Sequence, residues 1–394
     1  MAAHQFDAIV VGGGHNGLVC AVHMARQGMA VALFEGADTV GGAIRTEEVT
    51  LPGFRHDLYA MNMSLFAGSP FHREYADDLA KHGLAFAPVT DCFSSAFPDG
   101  RWLGVSTDLE TTAGRIGAFD EEDAKAWRDL VAAFPSDAPH YFALLATPMR
   151  PGPLIKTALK TLKAKGGAWS MEAVRLLIAS PREFLDAHFN DPQVKATLAP
   201  WAMHLDFAPE TSGGALFPYL EAMANQTFGM VLGKGGADTV PRALKSYLEA
   251  LGGVVATGTP VVGVERVAGR ATGVILEDGE VVRAREAVVA SVTPSGLLNL
   301  LGTTGHTAVD NRLKAFRHGP GTMVIHVAAS GLPQWQAGEE LSRFAYVHLA
   351  PDLGAMAAVY DEAISGHLPA EPMLVVGQPT AVDPSRAPDG KHTL

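Results

Sequence analysis

The sequence predicts an α/β fold: a Rossmann-like dinucleotide-binding domain, built from a parallel sheet plus a β-meander, joined to a second, α+β domain. Three observations predict it. A short apolar run at 6–11 feeds directly into GGGHNG at 12–17, as a parallel strand feeds a phosphate-binding turn. A helical stretch then leads to a second apolar run that ends on Glu35. Short alternating runs return after residue 254, broken at Gly269 and at Glu277-Asp278-Gly279-Glu280, as a meander of hairpins requires.

Gly12, Gly14 and Gly17 satisfy G-x-G-x-x-G, and each has a physical task. Gly12 makes the turn, Gly14 lets the backbone approach a pyrophosphate, and Gly17 permits close helix–strand contact. The helix opening there offers free N–H donors and the positive end of its dipole. With 42 glycines in 394 residues, the bare pattern arises by chance in about one such chain in two, so the weight rests on its context. Leu18, Val22 and Ala25 share one face of the following helix, and a second strand over 29–34 ends at Glu35. A carboxylate there accepts hydrogen bonds from a ribose diol. A glycine turn that served packing alone would leave that charge unexplained.

Gly41-Gly42 follow Glu35 closely, then Arg45-Thr46 and LPGFRHD at 51–57. An adjacent glycine pair suits a second loop passing the same pyrophosphate, for which a nicotinamide dehydrogenase has no need. Residues 67–227 read as a long, mainly helical insertion. Its expected helices cover 70–83, 120–134, 153–165, 171–180 and 182–190, with breaks at Pro135, Pro139, Pro148, Pro151 and Pro153.

The stretch 149–185 carries seven basic residues against two acidic ones, which leaves 23 basic and 40 acidic in the rest of the chain. Within it Leu154, Ile155, Ala158, Leu159 and Leu162 recur at helical spacing, with Lys156, Lys160 and Lys163 off that face. Two readings stand: a surface helix whose stripe packs on the domain, or an amphipathic helix at 153–165 in peripheral contact with an anionic membrane.

From about 228 the pattern returns to the first domain. Gly229, Gly233, Gly235 and Gly236 precede a helix over 241–251, strands at 254–256, 261–267 and 272–277, and a buried strand over 284–291 before Thr293-Pro294. Residues 298–394 alternate again, with strands expected at 323–328, 344–349, 355–360 and 373–378. The organisation expected is a nucleotide-binding domain of 1–66 and 228–297, and a substrate domain of 67–227 and 298–394.

A chain of 394 residues exceeds one core, in keeping with two joined domains. A net charge of −12 argues against nucleic acid as a partner. Cys20 and Cys92 are too few for a disulfide framework, Cys20 is expected as a packing residue, and a reducing cytoplasm is the default. The first strand begins so early that no signal peptide is expected, and no apolar run reaches the length of a membrane span.

Together, VVGGGHNGLVCA, Glu35 with Gly41-Gly42, PGFRHD, GKGGADTVPRAL and SVTP at 291–294 resemble the phytoene desaturase-like FAD oxidoreductases over essentially the whole chain. The GHNGL form and the ending PTAVDPSRAPDGKH resemble the subgroup named for a pyridine nucleotide-disulfide oxidoreductase domain. The resemblance implies FAD as cofactor. Gly12, Gly14 and Gly17, with the backbone of His15, would hold its pyrophosphate, and Glu35 its adenosine ribose. Gly41 and Gly42 would lie along the pyrophosphate, and the backbone at Val261-Val262 would meet the adenine. Many relatives carry Arg directly after the glycine pair. Here Ala43 stands there and Arg45 is expected to take the role. Relatives usually continue into a Gly-rich strand–helix that contacts the flavin ring, so a truncated C-terminus is expected.

The implied activity is hydride removal from an apolar or amphipathic small molecule, by a desaturase or dehydrogenase. A polyene substrate needs little acid–base help, and no catalytic residue is assigned. His15 sits in the phosphate loop; His56 and Asp57 either line the flavin or cap a turn; His204 with Asp206 either faces substrate or is a hydrogen-bonded structural histidine. No C-x-x-C or H-x-x-H occurs, which excludes dithiol reductase chemistry and suggests no metal. The alternative class is a non-enzymatic binder of apolar or lipidated partners, because Rab GDP dissociation inhibitors have a related fold. Intact Gly12, Gly14, Gly17 and Glu35 favour the oxidoreductase.

Overall fold

The computed structural model describes residues 5–394. Strand Gln5–Val11 lies at the centre of a six-stranded sheet, parallel to Val31–Phe34 on one side and to Val281–Ala290 on the other. Val254–Ala256 extends the parallel part beside Val31–Phe34. Val261–Val267 and Arg270–Leu276 complete the other end as antiparallel meander strands. Central strands are apolar on both faces because both are covered. Val10 and Leu33 pack with Leu18, Val22, Val240 and Leu244 from helices His15–Arg26 and Thr239–Ala250. Ile9, Val11, Ala32 and Phe34 pack with Val274 and Leu276 on the opposite face. Helix Pro70–Lys81 adds Tyr75 and Leu79 to the first of these cores.

A second sheet runs in the order Leu374–Gly377, Tyr346–Leu349, Asp91–Ala96, Trp102–Ser106. Phe93, Leu103 and Val105 from this sheet, with Trp127, Phe134, Leu185 and Leu220 from helices, make the largest core. A two-stranded ladder, Phe86–Val89 with Met230–Gly233, carries the chain between the two bodies.

Five expectations are corrected. Helix Glu121–Leu145 runs straight through Pro135 and Pro139, which were expected to end it. Phe134, Ala138 and Tyr141 lie on one helical face and are buried, so packing overrides the lost backbone donors. The helices expected at 153–165 and 171–180 form one element, Pro151–Ile178, interrupted only at Gly166, whose φ of +81° and ψ of 174° break the helical turn. Pro151 and Pro153 fall in its first turn, where a missing N–H costs nothing.

Residues 355–360 are not a strand but part of helix Leu353–Ile364. Asp352 caps it through the Ala355 amide at 2.9 Å, and its alanines favour helix over sheet. Of the strand expected at 323–328 only the end pairs: Val327 exchanges backbone hydrogen bonds with Leu394, and Ala328–Ala329 forms a short strand with His392–Thr393. Residues 287–290 are half-buried rather than buried, because Arg270–Leu276 pairs only with Val281, Val282 and Arg283 and leaves the rest of that strand one neighbour.

Candidate functional site

The glycine loop sits at the carboxyl ends of the two central parallel strands, where open α/β sheets place their ligands. Gly12 donates to the Phe34 carbonyl at 2.8 Å, which locks the loop to the second strand. Gly12 adopts φ +101°, and a Cβ on Gly17 would come within 2.1 Å of the Gly12 oxygen, so helix and turn touch through bare backbone. Ser291 closes the other side: its amide bonds Val11, and its carbonyl lies 2.5 Å from where a Gly12 Cβ would stand.

Gly14 is different. A Cβ there would meet nothing nearer than the Gly42 Cα at 3.9 Å. Gly14 is also the N-cap of helix His15–Arg26, and no side-chain cap takes the first amides of that helix. The second glycine loop forms the opposite wall. Gly41 donates to the Gly13 carbonyl at 2.9 Å and bridges to Gly14 as a one-residue parallel ladder.

Glu35 stands between the loops, accepting from Gly13 at 2.6 Å and from Ala37 at 2.9 Å. The turn before Val261–Val267 crosses the same strand end, since Thr259 donates to the Glu35 carbonyl at 2.9 Å. Val262 follows it with its side chain half open to solvent. Arg45 pairs with Glu47, while its Nε is buried without a partner. His15 is half-buried, which lowers its pKa. All nine expected positions (Gly12, Gly14, His15, Gly17, Glu35, Gly41, Gly42, Arg45 and Val262) therefore lie on or beside the two glycine loops or the strand that follows the Thr259 crossing.

Beneath the second loop lies a buried polar network that the motifs did not reveal as such. His56–Asp57 is a short strand paired with Thr46–Glu47, and the Asp57 side chain reaches the turn before helix Thr239–Ala250. Asp57 accepts from the Thr46 hydroxyl at 2.6 Å and the Ala237 amide at 2.8 Å, and its other oxygen meets Arg386 at 2.5 Å. Arg386 is fully buried and donates to the Gly233 carbonyl at 2.6 Å. Asp383 accepts from the Gly235 amide at 2.6 Å, and Arg55 meets Asp238 at 3.2 Å. PGFRHD, GKGGAD and DPSR thus converge in space. The signal available was a formal charge in each of three Gly- or Pro-bounded motifs. His56 is buried against His326 and hydrogen-bonds the Thr50 hydroxyl at 2.7 Å; burial lowers its pKa.

His204 does not pair with Asp206. Its ring lies 5.0 Å from Trp201 and 5.5 Å from His348, whereas Asp206 accepts from the Tyr360 hydroxyl at 2.9 Å. His348 is fully buried, and burial, with the neighbouring His204, holds its pKa well below the ordinary value. Cys92 is buried, which pushes its thiol up to about 12, and Cys20 is half-buried; both are free. Among the described residues no cluster of metal-ligating side chains occurs, and no helix is long and apolar enough to cross a membrane.

The sequence profile of flavin-containing amine oxidoreductases matches residues 17–393. Pyridine nucleotide-disulfide oxidoreductase domain-containing protein 2 of Rattus norvegicus is 27% identical over 99% of this chain and 72% of its own length. The phytoene dehydrogenase of Streptomyces griseus is 26% identical over 98% of this chain and 71% of its own. Among solved structures, an oxidoreductase from Methanosarcina mazei superposes with a TM-score of 0.62 at 16% identity, covering 98% of this chain and 77% of that one. A putrescine oxidase bound to putrescine gives 0.55 at 16% identity, covering 99% and 74%.

Proposed function

Because the chain belongs to the flavin-containing amine oxidoreductase family and is an FAD-dependent oxidoreductase, we propose that it oxidises an apolar or amphipathic small molecule in the manner of a desaturase or dehydrogenase. The observation that carries the site is the uncapped helix N-terminus at Gly14, facing a gap that no side chain fills. Two backbone loops border that gap and a Cβ on either Gly14 or Gly42 would narrow it, as a pyrophosphate cradle requires.

In this reading the amides from Gly14 to Gly17, including that of His15, receive the FAD pyrophosphate, and Gly12 shapes the turn. Gly41 and Gly42 close the cradle from the other side. Glu35 exchanges its Gly13 contact for the ribose hydroxyls, the backbone at Val262 borders the adenine, and the unpartnered Nε of Arg45 faces the phosphates. Flavin, when bound, would supply hydride acceptance from a substrate carbon, and with loss of a proton from the neighbouring carbon or nitrogen to solvent this leaves a C–C or C–N double bond. The protein's own residues bind, orient and keep water out.

The apolar substrate is supported by the desaturase relatives, 26% identity to a phytoene dehydrogenase among them. The test is anaerobic mixing of the FAD-loaded chain with polyenes, monoterpenes and primary amines, following the visible flavin absorbance. Bleaching by the hydrocarbons is expected. Bleaching by amines alone would overturn the substrate class, and failure to take up FAD would overturn the site.

A further inference from the structure

The apolar stripe on helix Pro151–Ile178 faces away from the protein. Ile155, Leu159 and Leu162 are 59%, 60% and 44% exposed. The inward side of its first half is mixed: Leu154 is half-buried, Thr157 hydrogen-bonds Thr147 at 2.9 Å, and Lys165 meets Asp137 at 2.8 Å and the Ser136 hydroxyl at 2.6 Å. An ordinary surface helix keeps its large apolar side chains on that side. At 3.6 residues per turn, Lys156, Lys160 and Lys163 fall on a third face, beside the stripe and away from the protein.

The charges point the same way. Residues 149–185 carry seven basic and two acidic groups in a chain of net charge −12. Lys165, Arg175 and Arg182 have carboxylate partners. Among the described residues Arg150, Lys156, Lys160 and Lys163 have none, and all four lie in or directly before the first half of the helix. Past the Gly166 break, Met171, Val174 and Ile178 continue the exposed apolar surface.

We propose that this face seats the protein on an anionic membrane surface, with Ile155, Leu159 and Leu162 in the headgroup–acyl boundary and the three lysines against anionic headgroups. An apolar stripe flanked by unpaired lysines matches both layers of such a surface. This inference does not depend on the flavin reading.

The experiment is co-sedimentation of the FAD-loaded full chain with phosphatidylserine–phosphatidylcholine vesicles and with phosphatidylcholine vesicles alone, at low and high salt. Binding to the anionic vesicles that weakens with salt is expected. Changing Lys156, Lys160 and Lys163 to Gln should lower the partition coefficient about 100-fold. Changing Ile155 and Leu159 to Ser should release the protein while leaving its melting temperature unchanged, because both side chains are already exposed. Absence of binding, or binding indifferent to both sets of changes, overturns the proposal. So does a self-association that the serine variant abolishes in a chain that never binds vesicles, which would assign the face to a second copy.

Discussion

The carboxylate of Glu35 accepts from the Gly13 amide at 2.6 Å, tying the end of the second strand to the middle of the glycine loop. Its other oxygen holds Ala37 at 2.9 Å. Hydrogen bonds to a charged group are worth about 1.5–3 kcal/mol each. Glu35→Ala should therefore loosen the loop and weaken FAD binding at least about tenfold, read by calorimetric titration. A folded variant with unchanged FAD affinity would show that Glu35 does not serve the ribose.

A Cβ on Gly14 would enter open space, whereas one on Gly17 would enter packed backbone. In Gly17→Ala the new methyl meets the Gly12 oxygen at 2.1 Å, so the protein itself should lose about 2 kcal/mol or more on urea unfolding. Gly14→Ala adds a methyl with no neighbour inside 3.9 Å, at an ordinary φ of −64°. Its stability should stay within about 0.5 kcal/mol while FAD affinity falls at least about tenfold. Equal stability loss in both variants would mean that Gly14 does not face ligand.

Arg386 is fully buried between Asp57 and the Gly233 carbonyl. Arg386→Met leaves buried carboxylates without their cation and should cost about 3–5 kcal/mol. Burial pushes Asp383 up, but the Ser385 hydroxyl, the Gly235 amide and Arg386 more than offset it, so its pKa lies below the ordinary carboxylate value. A depressed carboxyl stabilises above the unfolded pKa of about 3.9, and that contribution is lost as pH falls through the native value. Denaturation curves at descending pH should show a shallower acid limb for Asp383→Asn.

His348 acts in the same direction but at higher pH. Its buried ring resists protonation, so below about pH 6.5 the unfolded chain takes up a proton that the native state refuses, and stability falls as pH drops. His348→Phe, set among Phe93, Trp201 and Tyr346, should reduce the stability difference between about pH 7 and pH 5. An undiminished difference would show that His348 already finds a proton partner.

The βαβ start was legible because each of its residues answers to a local rule: glycine for a turn, an apolar run for a covered strand, a carboxylate at a strand end. Ala355 to Tyr360 alternated well enough to read as a strand, and only the Asp352 cap and the alanines decided for helix. Pro135 and Pro139 misled for the reverse reason, since the packing of Phe134 and Tyr141 acts at a range no local rule samples. The direction in which Ile155 and Leu159 point was invisible as well. Periodicity shows that a stripe exists but not what lies opposite it. Arg386 looked like any loop arginine until the fold surrounded it.

Asp57 and Arg386 stand 329 positions apart in the chain, yet they share one hydrogen bond under the second glycine loop. During synthesis at about 5–20 residues per second, the opening strands therefore emerge tens of seconds before the guanidinium that neutralises Asp57. Two groups that touch in the fold are thus made far apart in time, and Asp57 meets its cation only after residue 386 has left the ribosome.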